Sequence, residues 1–231
     1  WDLRDAGVES LLRTSPSPTG VYCALVRPDG GRTLLVAPSA ALDLGLEPPN
    51  PRLFRNGGLL YIEGFLLGNR GFFMDCLRAA REASMEVALD LCSQSLVQSQ
   101  REFILELLPE YCDILFANED EFLSLVELPL AEGCSLLADL DLTLVVKRAE
   151  RGAVWARGGR IIDSPVRAVE PVDQTGAGDA FAAGFLVARS RGLAPERCLR
   201  LGNRIAEEVL AVPGFGVDPD RLKDAAGPIT A

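Results

Sequence analysis

Residues 173 to 184 combine two glycines, an aspartate and an apolar run, and they read Asp-Gln-Thr-Gly-Ala-Gly-Asp-Ala-Phe-Ala-Ala-Gly. Asp179 is followed by a run of small and apolar residues that begins at Ala180 and continues to about Ala188, a pattern typical of a buried helix. The N–H groups of such a turn and the positive end of the helix dipole meet at one point, where a phosphate can bind beside a carboxylate base. Gly-Ala-Gly-Asp is also an ordinary helix start, because an acid there complements the dipole.

The composition describes a soluble globular protein and limits what it can bind. The 231 residues are 48% apolar and 24% charged, and we expect one domain that spans residues 1–231. The net charge of −10 argues against nucleic-acid binding, which depends on basic surface. No apolar run reaches the roughly 18–20 residues that a membrane span needs, so no membrane contact is expected.

The residue types available also exclude several reactions. The chain contains no histidine, which excludes Ser-His-Asp hydrolysis, Cys-His proteolysis and zinc sites built on histidine. Its six cysteines are scattered without a Cys-x-x-Cys pair, and no secretory signal is visible, so we expect a reduced cytoplasmic protein. Acid–base chemistry must therefore depend on carboxylate, lysine, cysteine or tyrosine side chains.

Apolar periodicity predicts strands that alternate with helices. The first element expected is a hairpin of residues 20–26 and 32–37 around a turn at 27–31. The other elements expected are a strand at 59–62, a helix at 70–84, a strand at 87–90, a helix at 98–108, a strand at 112–116, a short helix after 118–121, a strand at 142–147, a second hairpin at 153–162, the helix after Gly176, and a helix at 195–212. This order implies an α/β fold with a central, mostly parallel sheet that helices flank on both faces.

Two polar clusters directly follow predicted strands. One is Asn118–Glu121, and the other is the turn at Gly176. Because ligands of open α/β sheets bind at the carboxyl ends of the strands, we expect both clusters on one rim of the sheet. Phosphoryl transfer needs a phosphate cradle, a bridging cation and a group that deprotonates the attacking hydroxyl, and such a rim can hold all three.

The glycine turn can supply the cradle and the base. The N–H groups of Gly176, Ala177 and Gly178 would neutralise charge on a transferring phosphoryl group. Asp179 would accept the hydroxyl proton. Its position at a helix start should lower its pKa, but a weak base suffices where the proton leaves late in a loose transition state.

The cluster at residues 118–121 has two interpretations. Asn118 and Glu121 can hold Mg²⁺ through oxygen ligands or through the waters that this hard cation retains. The same residues match a helix N-cap with acids in the first turn, and in isolation the capping role is favoured. No Gly-x-x-x-x-Gly-Lys-Ser/Thr run is visible, which excludes a P-loop enzyme.

Four motifs together resemble the ribokinase-like (phosphofructokinase B type) family of sugar and nucleoside kinases. Residues 173–184 are similar to its C-terminal motif, and Asn118-x-x-Glu121 matches its magnesium motif at about the expected distance upstream. Residues 18–20 and the hairpin after them resemble its substrate lid, which would cover about residues 18–40. Residues 147–152 resemble its nucleotide-site loop.

The resemblance implies an ATP- and Mg²⁺-dependent kinase and gives a role to each matching residue. The implied roles are Asp179 as catalytic base; Gly176, Ala177 and Gly178 as anion hole; Lys147, Gly152 and Asn203 at the nucleotide; and Asn118 and Glu121 at Mg²⁺ and phosphate. Asp173 matches a position that in many members helps bind a monovalent cation, usually K⁺, although a turn acid is the alternative. For Asn203, the alternative is an exposed helix residue.

The implied substrate is a small sugar or ribonucleoside with a primary hydroxyl. Residues 61–67 are similar to a segment of adenosine kinases and their sugar-kinase relatives, where Tyr61 and Phe65 could stack on a ring, although core packing is favoured. Lid strands in this family often pair between subunits, which implies a homodimer. Residues 1–12 resemble the part just before the lid, so the family's N-terminal, substrate-selecting segment is not visible.

One departure from the family and two other function classes affect this interpretation. The family usually has a glycine where Ala149 stands, so we expect a shifted or less tight nucleotide loop. A catalytically inactive nucleotide- or sugar-binding sensor is the alternative function, but the retention of Asp179 argues for catalysis. A nucleotide-binding oxidoreductase is excluded, because its third glycine is replaced by Phe181.

Overall fold

The computed structural model describes residues 3–26, 32–45, 47–137, 140–167, 169–214 and 216–227. The turn predicted at residues 27–31 therefore lies outside the described residues. The chain divides into two units, one of Trp1–Leu60 with Phe65–Val87 and one of Tyr61–Gly64 with Ala88–Ala231.

The first unit contains the predicted hairpin. Strands β1 (Val21–Val26) and β2 (Arg32–Ala37) pair antiparallel, with Val21 opposite Ala37. Because successive residues of a strand face opposite sides, both faces of this small sheet carry exposed apolar side chains. These are Val21, Tyr22, Leu25, Leu35 and Val36.

Helix α1 (Arg70–Glu82) lies in the first unit and was predicted at 70–84. It begins after Asn69, whose side-chain oxygen accepts a hydrogen bond from the N–H of Phe72 at 3.2 Å. Short 3₁₀ turns, which the sequence did not indicate, occur along the chain at Ser39–Gly45, Pro51–Leu53, Gly64–Asn69 and Ala149–Arg151.

A six-stranded sheet, most of whose residues belong to the second unit, has strands that lie side by side in chain order. They are β3 (Leu59–Glu63), β4 (Glu86–Asp90), β5 (Ile114–Asn118), β6 (Thr143–Lys147), β7 (Ala153–Arg157) and β8 (Arg160–Ser164). Strands β4, β5 and β6 are parallel, whereas β7 and β8 join antiparallel. The sheet therefore has a parallel centre, as predicted, and is mixed because the second predicted hairpin extends it with antiparallel strands.

Helices flank this sheet, as predicted. They are α2 (Gln94–Tyr111), α3 (Glu119–Val126), α4 (Leu130–Leu137), α5 (Ala177–Ser190), α6 (Pro195–Leu210) and α7 (Pro219–Ala226). Helices α4 and α7 were not predicted from the sequence. Among the described helices, none is both long and apolar enough to cross a membrane.

The packing of α5 fixes where the glycine turn lies. Phe185 of α5 packs edge-on against Phe116 of β5, with ring centroids 5.5 Å apart, in a cluster of buried side chains. Helix α6 comes close to α5 because both carry a glycine at the crossing: a Cβ on Gly184 would lie 3.0 Å from the Cα of Gly202. The start of α5 is thus held against the sheet by apolar packing and by backbone contact.

Candidate active site

Four neighbouring strands end in polar side chains. Glu63 ends β3, Asp90 ends β4, Asn118 ends β5 and Lys147 ends β6. In the parallel pair of β5 and β6, Asn118 lies opposite Lys147. The predicted rim at the carboxyl ends of the parallel strands therefore exists. Glu63 and Asp90 were missed as site residues, although the rule that located Asn118 applies equally to residues that end a strand.

Asp90 and Lys147 form an ion pair at this rim, although β5 lies between their strands. The Nζ atom of Lys147 donates a hydrogen bond to Asp90 Oδ2 at 2.7 Å, and the Tyr61 hydroxyl donates to the same oxygen at 3.1 Å. Asp90 is 1% exposed, and no donor among the described residues reaches its Oδ1. Burial, and after it the charge of Asp90, raises the pKa of Tyr61, so its hydroxyl keeps its proton.

The glycine turn is a tight backbone structure at the start of α5. Gly176 has φ 78° and ψ 0°, a left-handed conformation that glycine adopts without strain. The N–H of Ala177 donates to the carbonyl of Gln174 at 3.3 Å, and the N–H of Ala180 donates to the carbonyl of Gly176 at 2.9 Å. In the described part of the chain, the N–H of Gly178 has no acceptor. Gly178 can therefore bind an anion, whereas the N–H of Ala177 is already used within the turn.

The Lys147 ammonium lies beside this turn. A Cβ built on Gly178 would lie 3.5 Å from Nζ, with no other atom within 4 Å. The ammonium, the free N–H of Gly178 and the carboxylate of Asp179 therefore belong to one region. A cation beside free backbone N–H groups at a helix start is an environment that favours a phosphate group.

The electrostatics of Asp179 differ from the prediction made from its position on the helix. Its pKa is raised, first because burial penalises the charged carboxylate and second because Asp90 is negatively charged; Lys147 acts in the opposite direction. The expected lowering by the helix dipole is wrong, because these two effects outweigh it. The same charges act on Glu63, whose pKa is raised by burial and then by Asp179 and Asp90.

Asn118 and Glu121 form the N-terminal capping box of α3. The Asn118 side-chain oxygen accepts from the Glu121 N–H at 2.8 Å, and both Glu121 carboxylate oxygens accept from Asn118, one from its backbone and one from its amide, each at 2.8 Å. Glu121 is 3% exposed, and burial raises the pKa of its carboxyl. The capping interpretation is therefore confirmed.

The same pair is compatible with Mg²⁺ in one arrangement. No group of three or more His, Cys, Asp or Glu side chains among the described residues could hold a metal ion. Because both oxygens of Glu121 already accept hydrogen bonds, Asn118 and Glu121 fit a contact through water rather than a direct one. Mg²⁺ commonly keeps several waters and takes its direct ligands from substrate phosphates.

Asp173 ties the glycine turn to a distant loop. Its Oδ1 accepts from the N–H of Thr175 at 2.9 Å and from the Thr175 hydroxyl at 2.8 Å, and its Oδ2 accepts from the N–H of Gly214 at 3.0 Å. Asp173 therefore acts as the turn acid that the sequence allowed. Its role toward K⁺ stays a prediction.

Two of the three predicted nucleotide residues converge on Ser164. The amide of Asn203 donates to the carbonyl and the hydroxyl of Ser164, each at 3.2 Å, and a Cβ on Gly152 would lie 2.1 Å from the same carbonyl. Asn203 is buried, so the alternative of an exposed helix residue is wrong. Lys147, the third residue, instead directs its ammonium to Asp90.

The nucleotide loop closes without the family's glycine. Ala149 takes the left-handed conformation itself, with φ 48°. The N–H of Gly152 donates to the carbonyl of Ala149 at 3.0 Å, and the N–H of Arg148 donates to the carbonyl of Gly152 at 2.7 Å. These bonds make a tight turn, so the expectation of a less tight nucleotide loop is wrong. The replacement of glycine by Ala149 instead places an alanine in a strained backbone conformation.

The two aromatic residues considered for ring stacking differ in exposure. Tyr61 packs against Phe116 of β5, with ring centroids 6.3 Å apart. The prediction that its ring packs in the core is therefore confirmed. Phe65 is 61% exposed, so core packing is wrong for this side chain.

The sequence and the fold match a known family. The family model of the pfkB carbohydrate kinases matches residues 2–220, and the chain therefore belongs to this family. The resemblance inferred from the four motifs and the ribokinase-like fold are both confirmed.

Individual relatives agree with this assignment. The chain is 29% identical to the adenosine kinase of Schizosaccharomyces pombe in a match that covers 90% of this chain and 68% of that protein. It is 30% identical to a nucleoside kinase of Methanocaldococcus jannaschii, where the match covers 73% of this chain and 53% of the relative. The crystal structure of the adenosine kinase from Sinorhizobium meliloti aligns with a TM-score of 0.88 at 30% identity, covering 97% of this chain and 71% of that one.

Proposed function

We propose that this protein is an ATP-dependent kinase that transfers the γ-phosphate to a primary hydroxyl of a sugar or ribonucleoside. The observation that carries the proposal is the grouping of Lys147, Gly178 and Asp179 at the start of α5, which combines a cation, a free N–H and a carboxylate. Kinases of the family to which the chain belongs use ATP and act on small sugars and nucleosides.

Asp179 is the proposed base. It accepts the proton of the attacking hydroxyl, and its raised pKa makes it a better proton acceptor than an exposed aspartate. The N–H groups of Gly176 and Gly178, together with the dipole of α5, stabilise the charge on the phosphoryl group as it passes to the acceptor. These groups are fixed by the backbone before the substrate binds, so their orientation costs no reorganisation during the reaction.

The other residues bind and orient the nucleotide and the cations. Asn118 and Glu121 would hold Mg²⁺ through water, and the cation would supply neutralisation of the phosphate charge. Gly152 and Asn203 line the nucleotide site. Asp173 holds the glycine turn and, because both of its oxygens already accept hydrogen bonds, would act on K⁺ through its charge or through water.

We further propose that the protein is a homodimer through the small β1–β2 sheet. That sheet carries apolar side chains on both faces, and apolar surface of this kind is typical of an interaction site. Sedimentation of the wild type and of the Val36→Lys variant tests the dimer: the variant is expected to sediment as a monomer, and an unchanged dimer would exclude this surface.

The experiment that tests the proposed reaction is a coupled ADP-release assay across nucleosides and sugars. ADP release is expected with at least one acceptor that carries a primary hydroxyl, and only when ATP and Mg²⁺ are both present. Phosphorus NMR of the product would show a phosphate ester on that hydroxyl. Nucleotide binding without ADP release from any acceptor would instead support the inactive sensor.

The Mg²⁺ role of Glu121 needs a variant that keeps the cap. Glu121→Gln removes the charge and keeps the acceptor for the backbone N–H of Asn118, but it loses the hydrogen bond from the Asn118 amide. The thermal midpoint is therefore expected to fall modestly, and the Mg²⁺ concentration that gives half-maximal rate is expected to rise in the protein that remains folded. An unchanged Mg²⁺ dependence would leave Glu121 with the capping role alone.

A further inference from the structure

Asp90 is a buried carboxylate that has no assigned part in the proposed reaction. It lies at the end of β4, and its ion pair with Lys147 reaches across β5. A buried ion pair adds little net stability, because removing both charges from water offsets their attraction. The Oδ1 atom, which no donor among the described residues reaches, adds a further cost. A costly buried pair beside a candidate site indicates a functional constraint.

The contacts of Lys147 suggest what that constraint is. Its ammonium has three N–H groups, and in the part of the chain that the structure describes only Asp90 accepts from it. The side chain is 18% exposed, so its position is restricted. Nζ lies next to Gly178, whose own N–H has no acceptor among the described residues. Two N–H groups of the ammonium and one of the backbone are therefore available in the same region.

We propose that Asp90 is a positioning residue that holds the Lys147 ammonium against the Gly176–Gly178 turn, where Lys147 binds the phosphoryl group being transferred. The Tyr61 hydroxyl donates a hydrogen bond to Asp90 Oδ2, and this bond fixes the orientation of the carboxylate. This inference rests on the proposed function, because it assigns residues to the same phosphate site.

A lysine needs such a partner for a physical reason. Its side chain has four flexible methylene groups, so an unheld ammonium adopts many positions and loses entropy when it binds an anion. A carboxylate 2.7 Å from Nζ removes most of that freedom before the nucleotide arrives. Because catalysis depends on placement to within about 1 Å, loss of the carboxylate should lower the rate even though Asp90 itself does not touch the substrate.

The test is a double-mutant cycle on the complete protein. The variants are Asp90→Asn, Lys147→Gln and the double variant, in which the amide side chains keep hydrogen-bonding groups and the double change removes both buried charges. The measurements are kcat and the dissociation constants of ADP and of the non-hydrolysable ATP analogue AMP-PNP. The contrast between AMP-PNP and ADP isolates the γ-phosphate, and this contrast would not change if the ion pair were merely structural.

We expect Lys147→Gln to weaken AMP-PNP binding about tenfold or more and ADP binding much less. Asp90→Asn should weaken AMP-PNP selectively in the wild-type background and lower kcat about 10- to 100-fold. In the Lys147→Gln background, the Asp90 change should have no further effect, because Asp90 acts through Lys147. Equal losses in both backgrounds, or equal losses for ADP and AMP-PNP, would overturn the inference.

A matched control shows whether loss of any ion pair has the same effect. Asp141 pairs with Arg157 at 2.6 Å in an exposed position, and Asp141→Asn makes the same chemical change there. It should leave kcat and both dissociation constants unchanged. Thermal midpoints of all variants identify any that fail to fold, and the folded double variant then still reports on Lys147.

Failure of this inference and failure of the proposed function give different results. If the wild type transfers phosphate and Asp90→Asn does so at an unchanged rate, the positioning role is wrong and the kinase stands. If no acceptor is phosphorylated, the kinase is wrong. The AMP-PNP contrast across the cycle still decides in that case whether Asp90 positions Lys147.

Discussion

Two regions of the candidate site differ in how their polar groups are satisfied. In the phosphate region, which consists of Asp90, Lys147, Gly178 and Asp179, an oxygen of Asp90 and the N–H of Gly178 have no partner among the described residues. In the Ser164 region, which consists of Gly152, Ser164 and Asn203, the amide of Asn203 makes two hydrogen bonds to Ser164. The phosphate region therefore keeps polar groups that a ligand can bind, whereas the Asn203 amide is already used within the protein.

The glycines of the two regions also differ in the free space around them. A methyl group on Gly178 would meet only the Lys147 ammonium at 3.5 Å, whereas a methyl group on Gly152 would overlap the Ser164 carbonyl at 2.1 Å. Space at Gly178 is thus left for a ligand, and space at Gly152 is filled by backbone. Substitutions should consequently affect activity in the first region and stability in the second.

The largest effect is expected for Asp179→Asn, which removes the proposed base. The amide cannot accept a proton, so kcat should fall by about 10²- to 10⁴-fold. The variant should still fold. Burial raises the pKa of Asp179, so the charged carboxylate destabilises the folded protein above that pKa. The variant should therefore be at least as stable as the wild type at neutral pH. The stability difference should vanish as the pH falls below the ordinary range of aspartate. Turnover at the wild-type rate would show that Asp179 is not the base.

Gly178→Ala should separate ligand binding from folding. The φ angle of Gly178 is not positive and the added methyl makes only an ordinary contact, so the helix propensity of alanine should raise stability by up to about 1 kcal/mol. The methyl takes up space beside the Lys147 ammonium, and kcat should fall by about 10²-fold or more, as for the loss of an oxyanion donor. Steady-state kinetics and urea unfolding measure the two effects. A fully active variant would mean that no phosphate binds at Gly178.

Gly152→Ala should have the opposite outcome, with a large loss of stability. Its φ of 81° and the overlap with the Ser164 carbonyl together should cost about 2–4 kcal/mol in urea unfolding. Gly158→Ala is the matched control, because Gly158 also has a positive φ, 54°, but nothing within 4 Å of its added methyl. The control should lose only about 1–2 kcal/mol. Equal losses at both positions would show that contact with Ser164 contributes nothing.

The sequence could predict the residues whose role depends on local structure. The positions of Asn118 and Lys147 at the rim, the cap made by Glu121 and the turn at Gly176 are all readable from neighbouring residues. Helix α4 was missed because it is short and contains Gly133. Helix α7 was missed because it has only eight residues, of which five are polar or proline.

Asp90 could not be predicted as a partner of Lys147 from local patterns. The two residues are 57 positions apart and are brought together only by the register of three parallel strands. The pKa of Asp179 was mispredicted for the same reason, since the charge of Asp90 and the burial of the carboxyl come from tertiary structure. Contacts that cross a strand are therefore the part of the site that sequence patterns do not contain.

The acid limb of the pH profile should move in opposite directions in two variants. The titratable groups that act on or respond to Asp179 are Asp90, Lys147, Glu63 and Tyr61. Asp90→Asn removes a charge that raises the pKa of Asp179, so the acid limb of kcat/KM should move to lower pH. Lys147→Gln removes a charge that lowers it, so the limb should move to higher pH. If neither variant moved the limb, a different group would control it.

The smallest effect is expected in the nucleotide loop, for Ala149→Gly. Alanine at φ 48° costs about 1–2 kcal/mol, and glycine removes this strain but gives back about 0.5–1 kcal/mol in the entropy of the unfolded chain. The net gain should be about 0.5–1 kcal/mol in urea unfolding, which is small because the loop is already closed by hydrogen bonds. Ala183→Gly, at an exposed position inside α5, is the control and should lose about 1 kcal/mol. A loss of similar size at Ala149 would mean that the loop carries no strain. The contrast between the phosphate region and the Ser164 region would then depend on Gly152 alone.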